Sequence, residues 1–247
     1  MPSFEKQLLR VADLVAAGIT TESAAEIMAL LRLPALSAEE LAKIRLYPEY
    51  LPKGVGSFTE EARLLHFLWD ALDRSVLCPA VNFSIPFRRI IAKKLFKKCG
   101  ANFTAKRNVR FNFGQNIELG DNVFFNEGVF LDSKGGISIG NNSALTEFVA
   151  VFTHNHAEHC HTERSYAPVV IEDHCIIYTR AMLLPGVTVK RQGLVGACSV
   201  VTHDVPENTL VAGAPAKPIR QRKNKSLQGE ALRHIWLNPG AFNNKQD

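Results

Sequence analysis

The chain has 247 residues, 46% of them hydrophobic and 21% charged, which suits one large or two modest domains with a sizeable core; no apolar run approaches the about 20 residues that span a bilayer. Its five cysteines, Cys78, Cys99, Cys160, Cys175 and Cys198, are an odd number without CxxC spacing, which argues against a disulfide framework or a zinc finger. The net charge of +5 is concentrated in "PFRRIIAKKLFKKCG" and "KPIRQRKNK" while the remainder is net acidic, which argues against a sequence-independent nucleic-acid binder and leaves two cationic stretches, one of which could meet a phosphorylated small molecule.

Residues 1–100 read as five short helices. "SFEKQLLRVADLVAAG" has apolar residues at helical spacing and stops at Gly18. "TTESAAEIMALLRL" ends before Pro34. "SAEELAKIRLY" opens with a capping box, Ser37 and Glu40, and "SFTEEARLLHFLWDALDRSV" repeats that device with Ser57 and Glu60. "IPFRRIIAKKLFKKCG" runs to Gly100, alternating apolar and basic faces. Phe67, Trp69 and Leu72 are expected to pack in a core. The N-terminal segment carries an early acidic residue and polar interruptions, unlike a secretory leader, so the expected compartment is the cytoplasm.

From Phe113 the period becomes six. Large apolar residues fall at Phe113, Leu119, Phe125 and Leu131, resume after a two-residue slip at Ile139, Leu145 and Val151, and resume again at Ile171, Ile177, Leu183, Val189, Val195 and Val201. Four residues after most of them stands a small or β-branched residue: Val123, Val129, Ser143, Val149, Cys175, Ala181, Val187, Ser199, Val205. A six-residue period is neither helical nor a simple strand alternation. It predicts a hexapeptide parallel β-helix, in which three hexads close one triangular coil and stacking buries what a single hexad cannot.

The last interruption, "VFTHNHAEHCHTERSYAP" over 151–168, holds His154, His156, His159 and His161, half of the eight histidines. It could be a metal site, a loop presenting a catalytic base, or a solvated loop.

Over about Asn102 to Arg222 the chain resembles the hexapeptide-repeat acyltransferases, and within them the sugar O-acetyltransferases of the maltose and galactoside type. The resemblance is carried by "IGNNSALTEFVAVFTHNH", "PVVIEDHCIIYTRAMLLPGVTV" and "VGACSVVTHDVPENTLVAGAPAKPIR". It implies a mostly β fold, a left-handed parallel β-helix of hexapeptide repeats preceded by an α-helical N-terminal region. The expected domains are a helical region over 1–100, the coil over 101–222 and a tail over 223–247. It also implies transfer of an acetyl group from acetyl-CoA to a sugar hydroxyl by a homotrimer with sites between subunits, with no metal, no nucleic acid and no membrane span. In "FTHNH" it puts the catalytic base at His156. Imidazole, with an ordinary pKa near ~6.5, suits the removal of a hydroxyl proton, and its other nitrogen needs an acceptor, a backbone carbonyl or Asp132.

The resemblance assigns Asn126, Asp132 and His154 to the acceptor. It assigns Thr179, Ala197 and Thr202 to the pantetheine arm of the coenzyme, and Lys217 and Arg220 to its phosphates. Asp132 could equally be a turn residue before Gly135-Gly136. His159 and His161 read as solvated, as do Lys223 and Lys225. Three departures bear on these expectations. His203 stands where the family has Lys in "VTKDVP". Ile176-Ile177-Tyr178 replaces "WIG". The helical N-terminal half is much longer than the short segment of maltose-type enzymes. The open alternatives are N-acetylation of an amino sugar or sugar nucleotide, a serine acetyltransferase, a carbonic-anhydrase-like coil with zinc on its histidines, and a trimeric scaffold without activity.

Overall fold

Side-chain caps start most of the helices. The computed structural model describes residues 3–51, 58–223 and 226–232. Ser3 caps α1 (Phe4–Ala17) by accepting from the amide of Lys6. Thr20 and Ser23 form a capping box on α2 (Thr21–Leu30), and Ser37 and Glu40 form the predicted one on α3 (Ala38–Lys43). The box expected from Ser57 and Glu60 is not the start of α4 (Glu60–Leu72). Ser57 lies outside the described residues, and Thr59 is the cap, accepting from the amide of Ala62. The last helix, α5 (Val81–Leu95), begins a turn earlier than predicted, with Pro86 inside it. It ends before Gly100, because Lys98–Cys99 already pairs as a strand with Glu118 and Leu119.

The chain divides into two compact units between Leu95 and Phe96. In the helical unit, Leu8, Val11, Ile27, Leu64, Leu68, Trp69, Phe83, Phe87 and Ile91 are buried. Arg88 is buried among them, bonded to Asp73 and 4.8 Å from the centre of the Trp69 ring. Breaking such a buried pair from one side costs about 3–5 kcal/mol. Burial pushes the His66 imidazole down to about 3, so it folds neutral. No described helix is long and apolar enough to cross a membrane.

The second unit is a left-handed parallel β-solenoid of about six turns. Its first face stacks Lys98–Cys99, Ile117–Leu119, Ile137–Ile139, Val169–Ile171 and Thr188–Val189. The second stacks Thr104–Ala105, Phe124–Phe125, Ala144–Leu145, Ile176–Ile177, Leu194–Val195 and Thr209–Gly213, against which Ala216–Gln221 turns back antiparallel. The third stacks Arg110–Phe111, Phe130–Asp132, Ala150–Phe152, Met182–Leu183 and Val200–Val201. The large residues of the six-residue period are each at most 1% exposed, and the small partners at most 2%. One position is corrected. Phe111, not Phe113, pairs with Leu131. Phe113 is buried at the head of the turn Gly114–Asn116. The two-residue slip therefore occurs twice, at Gly114–Asn116 and at Ser133–Gly135, both at the corner that follows the third face.

The corner after the first face needs a left-handed residue in every turn. Asn102, Asn122 and Asn142 supply it, with φ of 56°, 56° and 54°; Asn tolerates this region where most side chains clash. The three also bond in a column: Asn102 Nδ2 donates to Asn122 Oδ1 at 3.0 Å, and Asn122 Nδ2 donates to Asn142 Oδ1 at 2.9 Å. Asn122→Ala removes both bonds and strains the corner, so it should lower unfolding free energy by about 2–3 kcal/mol. Asn122→Gly relieves the strain but not the lost bonds and should fall between Ala and the parent in denaturant midpoint. Equal midpoints for the two variants would show that corner strain contributes nothing.

Candidate active site

The histidine-rich interruption leaves the coil at the third corner, and the turn beneath prepares its place. Asp132 ends its strand paired with Phe152, so Thr153 emerges beside the turn Ser133–Gly135. Thr153 is fully buried. Its hydroxyl donates to the Asp132 carbonyl and accepts from the Gly135 amide at 2.7 Å. Gly135 has to be glycine here, since a Cβ would sit 2.5 Å from the Thr153 carbonyl oxygen. From this anchor the chain makes an antiparallel hairpin, His154–Ala157 against Cys160–Tyr166, with a register shift at His156/Ala157.

Residues 154 and 156 fall on one face of their strand, and their rings form a row with Asp132. The Asp132 carboxylate has no exposure. Its Oδ1 accepts from Asn112 Nδ2 and from Lys134 Nζ, each at 2.6 Å. Its Oδ2 is bonded to His154 Nδ1. His154 Nε2 lies 3.2 Å from His156 Nε2, and His156 Nδ1 lies 2.6 Å from the His161 carbonyl oxygen. A carbonyl only accepts, so Nδ1 of His156 carries the proton and its Nε2 presents a lone pair. That is the tautomer a general base needs. The acceptor that orients His156 is thus a backbone carbonyl, and Asp132 holds its neighbour instead. Burial pushes the His154 imidazole below its ordinary value, against the upward pull of Asp132.

Two loop histidines differ from each other. His159 is exposed and faces Glu163 at 3.3 Å. His161 is exposed, as expected of a solvated residue, and its ring also stacks on His156 with centroids 3.8 Å apart and planes 4° apart.

The other predicted residues do not all join this row. Thr202 follows the strand Val200–Val201 at the same corner, bonded to His203 at 2.8 Å. Asn126 and Thr179 stand at the corner after the second face, where Glu147 joins them. Its Oε1 accepts from Asn126 Nδ2 at 2.5 Å and its Oε2 from the Thr179 hydroxyl at 3.0 Å. The Glu147 carboxyl is held below its usual range, first by its own backbone amide. Ala197 is in the same column, where the Cys198 amide donates to the Thr179 carbonyl at 2.9 Å. Lys217 and Arg220 are exposed on the returning strand beside Thr209–Gly213. One chain therefore carries two separate groups, Asp132, His154, His156 and Thr202 at the third corner, and Asn126, Thr179 and Ala197 at the second. Among the described residues, no three His, Cys, Asp or Glu side chains are grouped to hold a metal ion.

Asn112, Lys134, Glu147 and the His161 carbonyl were not singled out from sequence. Asn112 had a signal, since it lies 20 residues, one turn of the coil, before Asp132.

No family model matches the chain. It is 32% identical over 174 residues to a putative acetyltransferase of Dictyostelium discoideum, covering 68% of this chain and 85% of that protein. It is 29% identical over 138 residues to the galactoside O-acetyltransferase of Escherichia coli, covering 54% of this chain and 68% of the relative. Among solved structures it resembles a hexapeptide-repeat-containing acetyltransferase from Vibrio cholerae complexed with acetyl-CoA, with a TM-score of 0.59 and 28% identity over 67% of this chain and 89% of that one.

The anchor of the hairpin is testable by itself. Thr153→Val keeps the shape and removes both hydroxyl bonds, leaving the Gly135 amide and the Asp132 carbonyl unpaired. It should lower stability by about 1–3 kcal/mol and speed hydrogen exchange in residues 154–166. Unchanged exchange there would mean that the hairpin is held without Thr153.

Proposed function

The chain belongs to the hexapeptide-repeat acyltransferases of the sugar O-acetyltransferase type, and from that premise we propose that it moves an acetyl group from acetyl-CoA to a hydroxyl of a sugar or sugar-containing acceptor, with His156 as general base. The acceptor oxygen attacks the thioester carbonyl carbon while its proton passes to Nε2 of His156. The tetrahedral intermediate then collapses, the carbon–sulfur bond breaks, and the coenzyme thiolate takes the proton back from the imidazolium. The observation that carries this reading is the 2.6 Å contact between His156 Nδ1 and the His161 carbonyl, which fixes the basic nitrogen at Nε2.

The proposed assembly is a homotrimer. The two groups of candidate residues lie at different corners of one coil, so a complete site needs the third corner of one subunit against the second corner of a neighbour. Asn126 would then meet the acceptor, with Asp132 and His154 beside the base. Thr179, Ala197 and Thr202 would flank the pantetheine arm. Lys217 and Arg220, which are cationic and exposed, suit the phosphates of the coenzyme.

His156→Ala should lower kcat about 100- to 10,000-fold, the usual contribution of a general base. Acetyl-CoA affinity should stay nearly unchanged, because the imidazole acts on the acceptor proton in the transition state. Thiol release from acetyl-CoA across a panel of sugars measures the first quantity and calorimetry the second. Near-normal turnover by His156→Ala would remove it from the role of base.

A further inference from the structure

The row beneath the base is more than a support, because its hydrogen-bond inventory does not close without a decision about one proton. Nδ1 of His154 faces a carboxylate oxygen, an acceptor, so it carries a proton. Nδ1 of His156 faces a carbonyl, so it carries one as well. In the neutral pair both Nε2 atoms are then bare lone pairs, yet they lie 3.2 Å apart in hydrogen-bond geometry. One added proton between them satisfies both rings. It also occupies the lone pair that His156 needs for catalysis. The pair thus has two states, an occupied one in which the base is engaged and an empty one in which it is free.

What decides between the states is the charge around them. Asp132 favours the added proton, being buried and bonded to His154. Lys134 opposes it. Its ammonium lies 2.6 Å from the other Asp132 oxygen, with its side chain only 8% exposed, so it offsets the carboxylate charge where solvent screening is weak. Arg164 is cross-strand from His156 and is a second cation on that side. Its Nε and Nη1 are buried without a hydrogen-bond partner. Among the described residues, the rings also face Tyr166, whose ring centroid is 6.3 Å from that of His154, and His161, stacked on His156. Neither supplies a negative charge at neutral pH.

We propose that Asp132, His154 and His156 form a proton-sharing chain and that Lys134 keeps it one proton short, which leaves Nε2 of His156 free to take the acceptor's proton. This rests on the reaction proposed above and extends it. The proton leaves the acceptor hydroxyl for Nε2 of His156, is shared with Nε2 of His154 while the tetrahedral intermediate exists, and ends on the sulfur of the departing coenzyme. Lys134 is a positioning residue here and His154 acts through His156; His156 alone takes the proton from the acceptor.

Lys134→Gln tests the idea, since it keeps a donor to Asp132 and removes the charge. An uncompensated Asp132 holds the added proton more tightly, so the apparent pKa of the pair rises. Because the occupied form is inactive, the acid limb of kcat/KM should move to higher pH, by about one unit, the scale of a nearby opposite charge. Ring-proton NMR on the protein without substrate should show His154 and His156 titrating together, with a midpoint displaced upward by the same amount. Lys134→Arg should restore the parent values. Arg164→Gln, which removes the second cation on that side and leaves Lys134 in place, should raise the midpoint too, and it serves if Lys134→Gln does not fold. Rings that titrate independently, or a midpoint unmoved in both charge variants, would overturn the proposal. The titration needs no turnover, so absence of acetyl transfer would count against the reaction while the NMR midpoints still decide the proton chain.

Discussion

Main-chain pairing between successive turns of the coil is the constraint on which the rest depends. A strand slipped by one residue would turn its whole buried set to solvent, so Leu119 stacks on Ile139, Phe125 on Leu145 and Leu131 on Val151, with no alternative register. Each corner then inherits a column of residues from distant parts of the chain. The Asn102–Asn122–Asn142 column and the Asn112–Asp132 pair have the same origin, two residues one turn apart brought to hydrogen-bond distance by stacking.

The candidate site is that same geometry with an insertion. Three successive turns depart from the hexad at the corner after the third face: Gly114–Asn116, Ser133–Gly135 and the hairpin that begins beyond Thr153. The first two are short and bury Phe113 and Asp132. The third is long enough to fold back as a hairpin, and the Asp132 carboxylate beneath it is already bonded to Asn112 and Lys134. A buried carboxylate with one oxygen on a cation and the other on an imidazole is oriented by both. The cost of burying it is offset by three partners in place of water. The imidazole that follows, His156, has one nitrogen held by a backbone carbonyl and the other 3.2 Å from the first imidazole. Packing at this corner thus sets the proton inventory that chemistry would use.

The coil was legible because its signal is repetition. Thirteen apolar positions in a six-residue register constrain one another, and the structure moved only one of them, from Phe113 to Phe111. The helices were legible from caps and apolar spacing, but their ends were not. Thr59 and not Ser57 caps α4, and α5 stops where Lys98–Cys99 finds a strand partner 20 residues ahead, a tertiary contact that no local pattern contains. At the site, His156 stood out by its place in "FTHNH", whereas Lys134 and Asn112 did not, because a cation and an amide acquire meaning only when stacking puts them on the same carboxylate oxygen. The role of the His161 carbonyl was hidden for a further reason. It belongs to the backbone, and residue type says nothing about it.

The central claim is that a working site joins the third corner of one subunit to the second corner of another. Mixing variants tests it most directly. His156→Ala damages only the third-corner group, and Lys217→Glu/Arg220→Glu damages only the cationic strand beside the second. Each should be inactive alone at low acetyl-CoA. Co-refolded in equal amounts they should regain activity, approaching about a quarter of the parent's, because random assembly of a cyclic oligomer pairs two undamaged halves at that frequency. Mixed oligomers that form, as seen by native mass spectrometry, and yet stay inactive would show that each chain carries its whole site alone.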